Sequence, residues 1–153
     1  MNLIPDKLSQ VANEENKNLN LSGISGILPD GLINKLIARK KIQSIDPILD
    51  HQIQPASLDL RLGKKAYRIR ASFIPNNDKT VLECAHNLID HEFSIVDGAV
   101  LERDCVYLVE LKEFLELPDS IWAIANPKSS TGRLDVFTRI IADGIQSFDK
   151  VSS

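Results

Sequence analysis

Little in this sequence would let it staple itself covalently or cross a bilayer. It has two cysteines, Cys84 and Cys105, too few for a disulfide framework. No apolar run approaches the ~18 residues that a membrane-spanning helix needs. No secretory leader is recognised at its start, so the chain is expected to be cytoplasmic with reduced thiols. An excess of positive charge is also missing. The formal net charge is -3 at pH 7, whereas general affinity for nucleic acid or a membrane surface needs a basic face. Neither is an expected partner, although a local cationic pocket is still allowed. Metal-ligand spacing is lacking too: Cys84, His86 and His91 lie close together but match no common zinc pattern. No metal site is expected there, and His51 has no evident partner. Internal repeats and low-complexity tracts are absent.

What is present is ordinary in bulk. The chain has 153 residues, 43% hydrophobic and 25% charged, which suits one soluble globular domain with its own core. Residues 1–23 are polar and weakly periodic, and are expected to form a flexible N-terminal extension, with Leu3, Ile4, Leu8 and Val11 able to make a short helical turn. A tail that docks on a neighbouring subunit is the alternative. The domain proper is placed at 24–153. It begins with a helix in which Asp30 is the expected N-cap and Leu32, Ile33, Leu36 and Ile37 share one face. Arg39, Lys40 and Lys41 suit the negative end of its dipole.

Beyond the helix the pattern is mainly β. Leu58, Leu60 and Leu62 alternate with Ser57, Asp59 and Arg61, which predicts a half-buried strand ended by Gly63. Lys64-Lys65 would then turn the chain into a second strand at 66–71, where Tyr67 and Ile69 alternate with Arg68 and Arg70. On the wet face of this hairpin Asp59 and Arg61 would form an ion pair. Signals at 75–90 are mixed. Phe93 onward reads as strand leading to an Asp97-Gly98 turn. Strands are further predicted at 106–111, 121–125 and 136–142, with Pro118-Asp119 turning the chain.

The stretch with the most chemistry is Ala-Asn-Pro-Lys-Ser-Ser-Thr-Gly-Arg at 125–133. Pro127 stops the preceding strand because it has no ladder donor, and Gly132 lets the backbone turn sharply or approach a ligand. Lys128 and Arg133 neutralise negative charge, while Ser129, Ser130, Thr131 and the backbone amides can donate to phosphate oxygens. A solvated polar turn is the plain alternative.

Two stretches taken together carry a resemblance. Pro-Ala-Ser-Leu-Asp-Leu-Arg-Leu-Gly at 55–63 is similar to the first motif of the dCTP deaminase and dUTPase superfamily. Lys-Ser-Ser-Thr-Gly-Arg at 128–133 resembles the phosphate-loop motif of its deaminase branch. The resemblance runs from about Gly26 to the C-terminus and implies a dUTPase-like distorted β-barrel or jelly roll with one N-terminal helix, assembled as a homotrimer with sites at subunit boundaries. It implies dCTP as substrate, arriving with Mg²⁺ on its triphosphate, and hydrolytic deamination to dUTP and ammonia in pyrimidine deoxynucleotide metabolism. Lys128, Ser129, Ser130, Thr131, Gly132 and Arg133 would grip the triphosphate, with Ser129 and Arg133 also close to the reacting centre. Ala142 would lie beside the cytosine, and Asp149 near the deoxyribose, with Asp143 competing for that place. Zinc is not expected, since the His-x-Glu and Pro-Cys-x-x-Cys signature of zinc deaminases is absent.

The resemblance also implies a glutamate acting as general acid and base, its pKa tuned by its surroundings, after a Gly-Tyr or Gly-Trp turn that follows the phosphate loop. Residues 134–153 hold neither, and Glu110, Glu113 and Glu116 precede the loop. The chain therefore reads as the N-terminal part of a longer, two-domain bacterial deaminase, its barrel incomplete at the C-terminus with an unpaired edge. Two other functions stay open: a dUTP diphosphatase or bifunctional deaminase and diphosphatase, and a non-catalytic nucleotide-binding or structural trimeric barrel. The expected outcome for the 153-residue chain alone is no ammonia release from dCTP above background. Turnover by the purified chain would overturn that expectation.

Overall fold

The structure is a computed structural model that describes residues 25–152; the expectations for residues 1–23 lie outside them. Helix α1, Asp30–Ala38, opens the fold. Its Ile33 and Leu36 are buried, with Leu32 and Ile37 half-buried beside them, as the 3.6-residue spacing requires. The cap, however, is one residue earlier than expected. Pro29 is the N-cap, in extended conformation, and the Asp30 carboxylate accepts from the neighbouring Gly31 N–H at 2.7 Å instead of capping the helix. At the other end Lys41 N donates to Leu36 O and Lys40 N to Ile37 O, both at 2.9 Å, the double bond pattern of a Schellman cap. Lys40 takes the left-handed position, φ +56°, that glycine usually fills.

Strand β1, Ile42–Ser44, pairs antiparallel with β7, Glu113–Leu115, in the register Ile42 with Leu115 and Ser44 with Glu113. Beneath them Ile33, Leu36, Ile42, Leu117 and Ile121 form the buried core, with Ile53, Leu58 and Ala123 packed against it. Each such side chain removed from water contributes about 1.5–3 kcal/mol before entropy is counted. The short β2, Ile53–Gln54, and β3, Ser57–Leu58, make a tight hairpin, and Asp30 N donates to Pro55 O at its turn (3.0 Å).

The largest sheet has the order β5-β4-β6, from Ile89–Ser94, Leu62–Ile69 and Val106–Leu111. The predicted hairpin of 58–62 with 66–71 does not form: Gly63, Lys64 and Lys65 lie inside the single strand β4, which pairs on both edges. Gly63 is needed not to end a strand but to permit close approach, since a Cβ there would stand 3.0 Å from Glu110 O. The Asp97-Gly98 turn is present, with Gly98 at φ +87°, but it leads into irregular chain before β6. Helix α2, Val81–Ala85, was not foreseen. Its signal was in the sequence: Thr80 and Glu83 form a capping box, Glu83 N to Thr80 Oγ1 at 3.2 Å and Thr80 N to Glu83 Oε2 at 2.7 Å.

Strand β8, Ala123–Ile124, pairs with β9, Lys150–Val151. The predicted strand at 136–142 is absent. Its β-branched residues lack a neighbouring strand, and Phe137 is 92% exposed; β propensity expresses itself only on a pleated surface with neighbours to pack against.

Arg61 ties these pieces together. Its backbone N–H and its Nε both donate to Glu113, each at 2.8 Å, while its terminal nitrogens reach Ser44 Oγ (2.8 Å), Asp46 O (3.1 Å) and Pro47 O (3.1 Å). Gln52 Nε2 adds a bond to Glu113 at 3.1 Å. The expected Asp59–Arg61 pair is therefore not made. Burial works to raise the Glu113 carboxyl, but the Arg61 amide, its guanidinium and Gln52 together hold it below its ordinary 4.5. A depressed folded pKa contributes stability that is complete above the ordinary value and lost as pH falls below 4.5 through the folded value. Two outcomes are expected from denaturation measured between neutral and acid pH. Glu113→Ala, which strands Arg61, destabilises by about 3 kcal/mol at neutral pH. Glu113→Gln makes the acid limb shallower than in the wild type, and an unchanged limb would count against this assignment.

Candidate functional site

The β8–β9 ladder delivers the cationic, hydroxyl-rich stretch. Beyond Ile124 and Pro127 the chain makes one helical turn, α3, Ser129–Gly132, with Lys128 as its N-cap. Thr131 N and Gly132 N donate to Lys128 O at 2.9 and 3.1 Å, and Arg133 N donates to Ser129 O at 3.0 Å. The first amides of such a turn have no carbonyl of their own. Lys128, Ser129, Ser130, Gly132 and Arg133 are exposed and Thr131 is half-buried. Gly132 does not adopt positive φ, and a Cβ there would meet nothing within 4 Å. The turn itself therefore does not require glycine at this position. Asp135 closes it in left-handed conformation, φ +56°, with its N–H on Gly132 O at 3.1 Å.

The two sequence motifs meet through one contact. Lys128 Nζ stands 2.6 Å from Asp59 Oδ2, with the lysine side chain 65% and the carboxylate 25% exposed. Gln54 Nε2 approaches the same oxygen at 3.5 Å. Asp59 and Arg61, two positions apart, are thus divided between the turn and the interior.

Ala142 and Asp149 lie on the return path to β9. Ala142 is half-buried, and its carbonyl accepts from Ile145 N at 3.2 Å. Asp149 is committed three ways: its carboxylate accepts from Ile140 N (2.9 Å) and pairs with Arg139, its N–H donates to Ile140 O (2.8 Å), and its carbonyl accepts from Ala125 N (2.8 Å). Burial would raise this carboxyl, but Arg139 and the Ile140 amide hold it below the ordinary 3.8. The competing Asp143 points elsewhere, accepting from Val81 N at 2.6 Å. The structure thus joins 59 to 128 and 125 to 149, whereas Asp143 docks on the start of α2.

Three glutamates before the turn have partners of their own: Glu110 with Tyr67 Oη (2.9 Å), Glu113 with Arg61, and Glu116 with Lys41 (3.5 Å). Among the described residues no group of three or more His, Cys, Asp or Glu is placed to hold a metal ion. Sequence reasoning missed the role of Glu113, which pairs with an arginine 52 positions away; no local pattern marks such a contact.

Comparison with known proteins agrees with the motifs. Residues 24–153 match the family described as the 2'-deoxycytidine 5'-triphosphate deaminase (DCD) N-terminal domain. A "dCTP deaminase, dUMP-forming" of Persephonella marina is 33% identical over 115 residues, covering 72% of this chain and 60% of its own length. Its namesake in a Sulfurihydrogenibium species is 34% identical over 111 residues, with the same two coverages. The crystal structure of the 2'-deoxycytidine 5'-triphosphate deaminase from Agrobacterium tumefaciens superposes with a TM-score of 0.79 at 54% identity, over 83% of this chain and 38% of that one. The chain spans about 60% of the length of the two curated relatives. With a family match across residues 24–153 and a shared, mainly β fold, this chain belongs to the dCTP deaminase family.

Proposed function

We propose that the protein takes part in hydrolytic deamination of dCTP, with the turn at 128–133 holding the triphosphate. One observation carries this reading: two cations bracket an exposed, hydroxyl-rich turn, and Lys128 anchors that turn to Asp59 of the first motif. Arg133 is the cation that balances phosphate charge most directly, because Lys128 already shares its charge with Asp59. Ser129, Ser130 and Thr131 donate hydrogen bonds, and Gly132 leaves room beside them. The donor set is cationic and hydroxylic, which fits a triphosphate that brings its own Mg²⁺. Charge-assisted bonds of this kind are about twice as strong as neutral ones. Ala142 and Asp149 belong to the base and sugar side, and Ser129 and Arg133 also serve the reacting centre. None of Glu110, Glu113 and Glu116 is assigned the proton transfer, since each is engaged in the fold.

The product is dUTP on the simplest reading. A bifunctional course to dUMP is the second reading, supported by the names of the relatives at 33% and 34% identity. Closure of the strands into a barrel, a homotrimer and a cytoplasmic setting complete the proposal. Exposed Trp122, Leu134 and Phe137 support association, because such apolar area is commonly covered. The net charge of -3 and the lack of any helix among the described residues long and apolar enough to cross a membrane agree with a small-molecule partner.

Calorimetric titration of Mg²⁺-dCTP into the full polypeptide tests the site. Arg133→Ala is expected to weaken binding by about 100-fold and Ser129→Ala by about tenfold, from the usual worth of hydrogen bonds to charged groups. Affinity unchanged in both variants would sink the reading. In the same proteins Lys128 and Asp59 are expected to couple by less than about 1 kcal/mol in folding stability, because the lysine is solvent-screened. A double-mutant cycle measures that coupling, and a value several times larger would show a structural rather than a ligand-facing lysine.

A further inference from the structure

We draw no further inference here: the strongest candidate, the cavity at the bulge of β4 that Lys64, Lys65 and Lys112 line beside Asp46 and Glu110, carries nothing, because Asp46 already pairs with Lys112 and Glu92 with Lys65, and nothing in the structure shows what would fill it.

Discussion

The hydrogen-bonded ion pair between Arg61 and Glu113 is the constraint on which the rest of the structure depends. Glu113 is 1% exposed at its side chain and Arg61 22%. A carboxylate so far from water is tolerable only because three donors converge on it. Those donors come from Gln52 and from Arg61, and Arg61 in turn gathers Ser44, Asp46 and Pro47. One side chain thus fixes β1, β7 and the entry to β4 relative to one another. The apolar core of Ile33, Leu36, Ile42, Leu117 and Ile121 supplies the larger energy, but it is non-directional. The polar knot gives it a register.

That register carries through to the proposed site. Because Arg61 is drawn inward to Glu113, Asp59 is left on the other side of the chain, where Lys128 finds it. Gln52 reinforces the arrangement by bonding both ends of Asp59, its Nε2 to the Asp59 carbonyl at 2.9 Å and its carbonyl to the Asp59 N–H at 2.8 Å. The turn at 128–133 is therefore indexed to the core through a short path of hydrogen bonds, Glu113 to Gln52 to Asp59 to Lys128. Only the last contact is exposed and weak. A turn fastened to a rigid base by one soft contact can keep its place and still yield to a charged ligand.

What was legible in the sequence was whatever is decided locally. The spacing of Ile33 and Leu36 marked α1, alternation marked β6, and the types of residue at 128–133 marked the stretch proposed to hold phosphate. The failures share a cause. Leu58, Leu60 and Leu62 alternate as a strand would, yet Leu62 is 58% exposed and Arg61 is pulled in, because a partner 52 residues away outranks the period-two pattern. Gly63 looked like punctuation, whereas the actual demand on it comes from the approach of Glu110. At 136–142 the residue types were right for a strand, but no edge among the described strands receives them. Thr80 and Glu83 were legible and were overlooked.

The backbone geometry explains why the segment between α3 and β9 is held by side chains rather than by a sheet. Among the described residues the non-glycine positions with positive φ are Lys40, Asp104, Asp135 and Asp149. Each stands where an element ends or is about to begin: after α1, before β6, after α3 and before β9. Three are aspartates, whose short polar side chains tolerate the left-handed region by bonding nearby backbone, as Asp149 does with Ile140 N. Asp135 and Asp149 bracket the excursion from α3 to β9, turning the chain out and back. A segment so bracketed takes its path from two residues' local conformations and their hydrogen bonds, not from core packing. Its position can therefore be altered by changes at those residues without loss of the core, whereas the turn at 128–133 is closed by its own backbone and tied to the knot around Glu113.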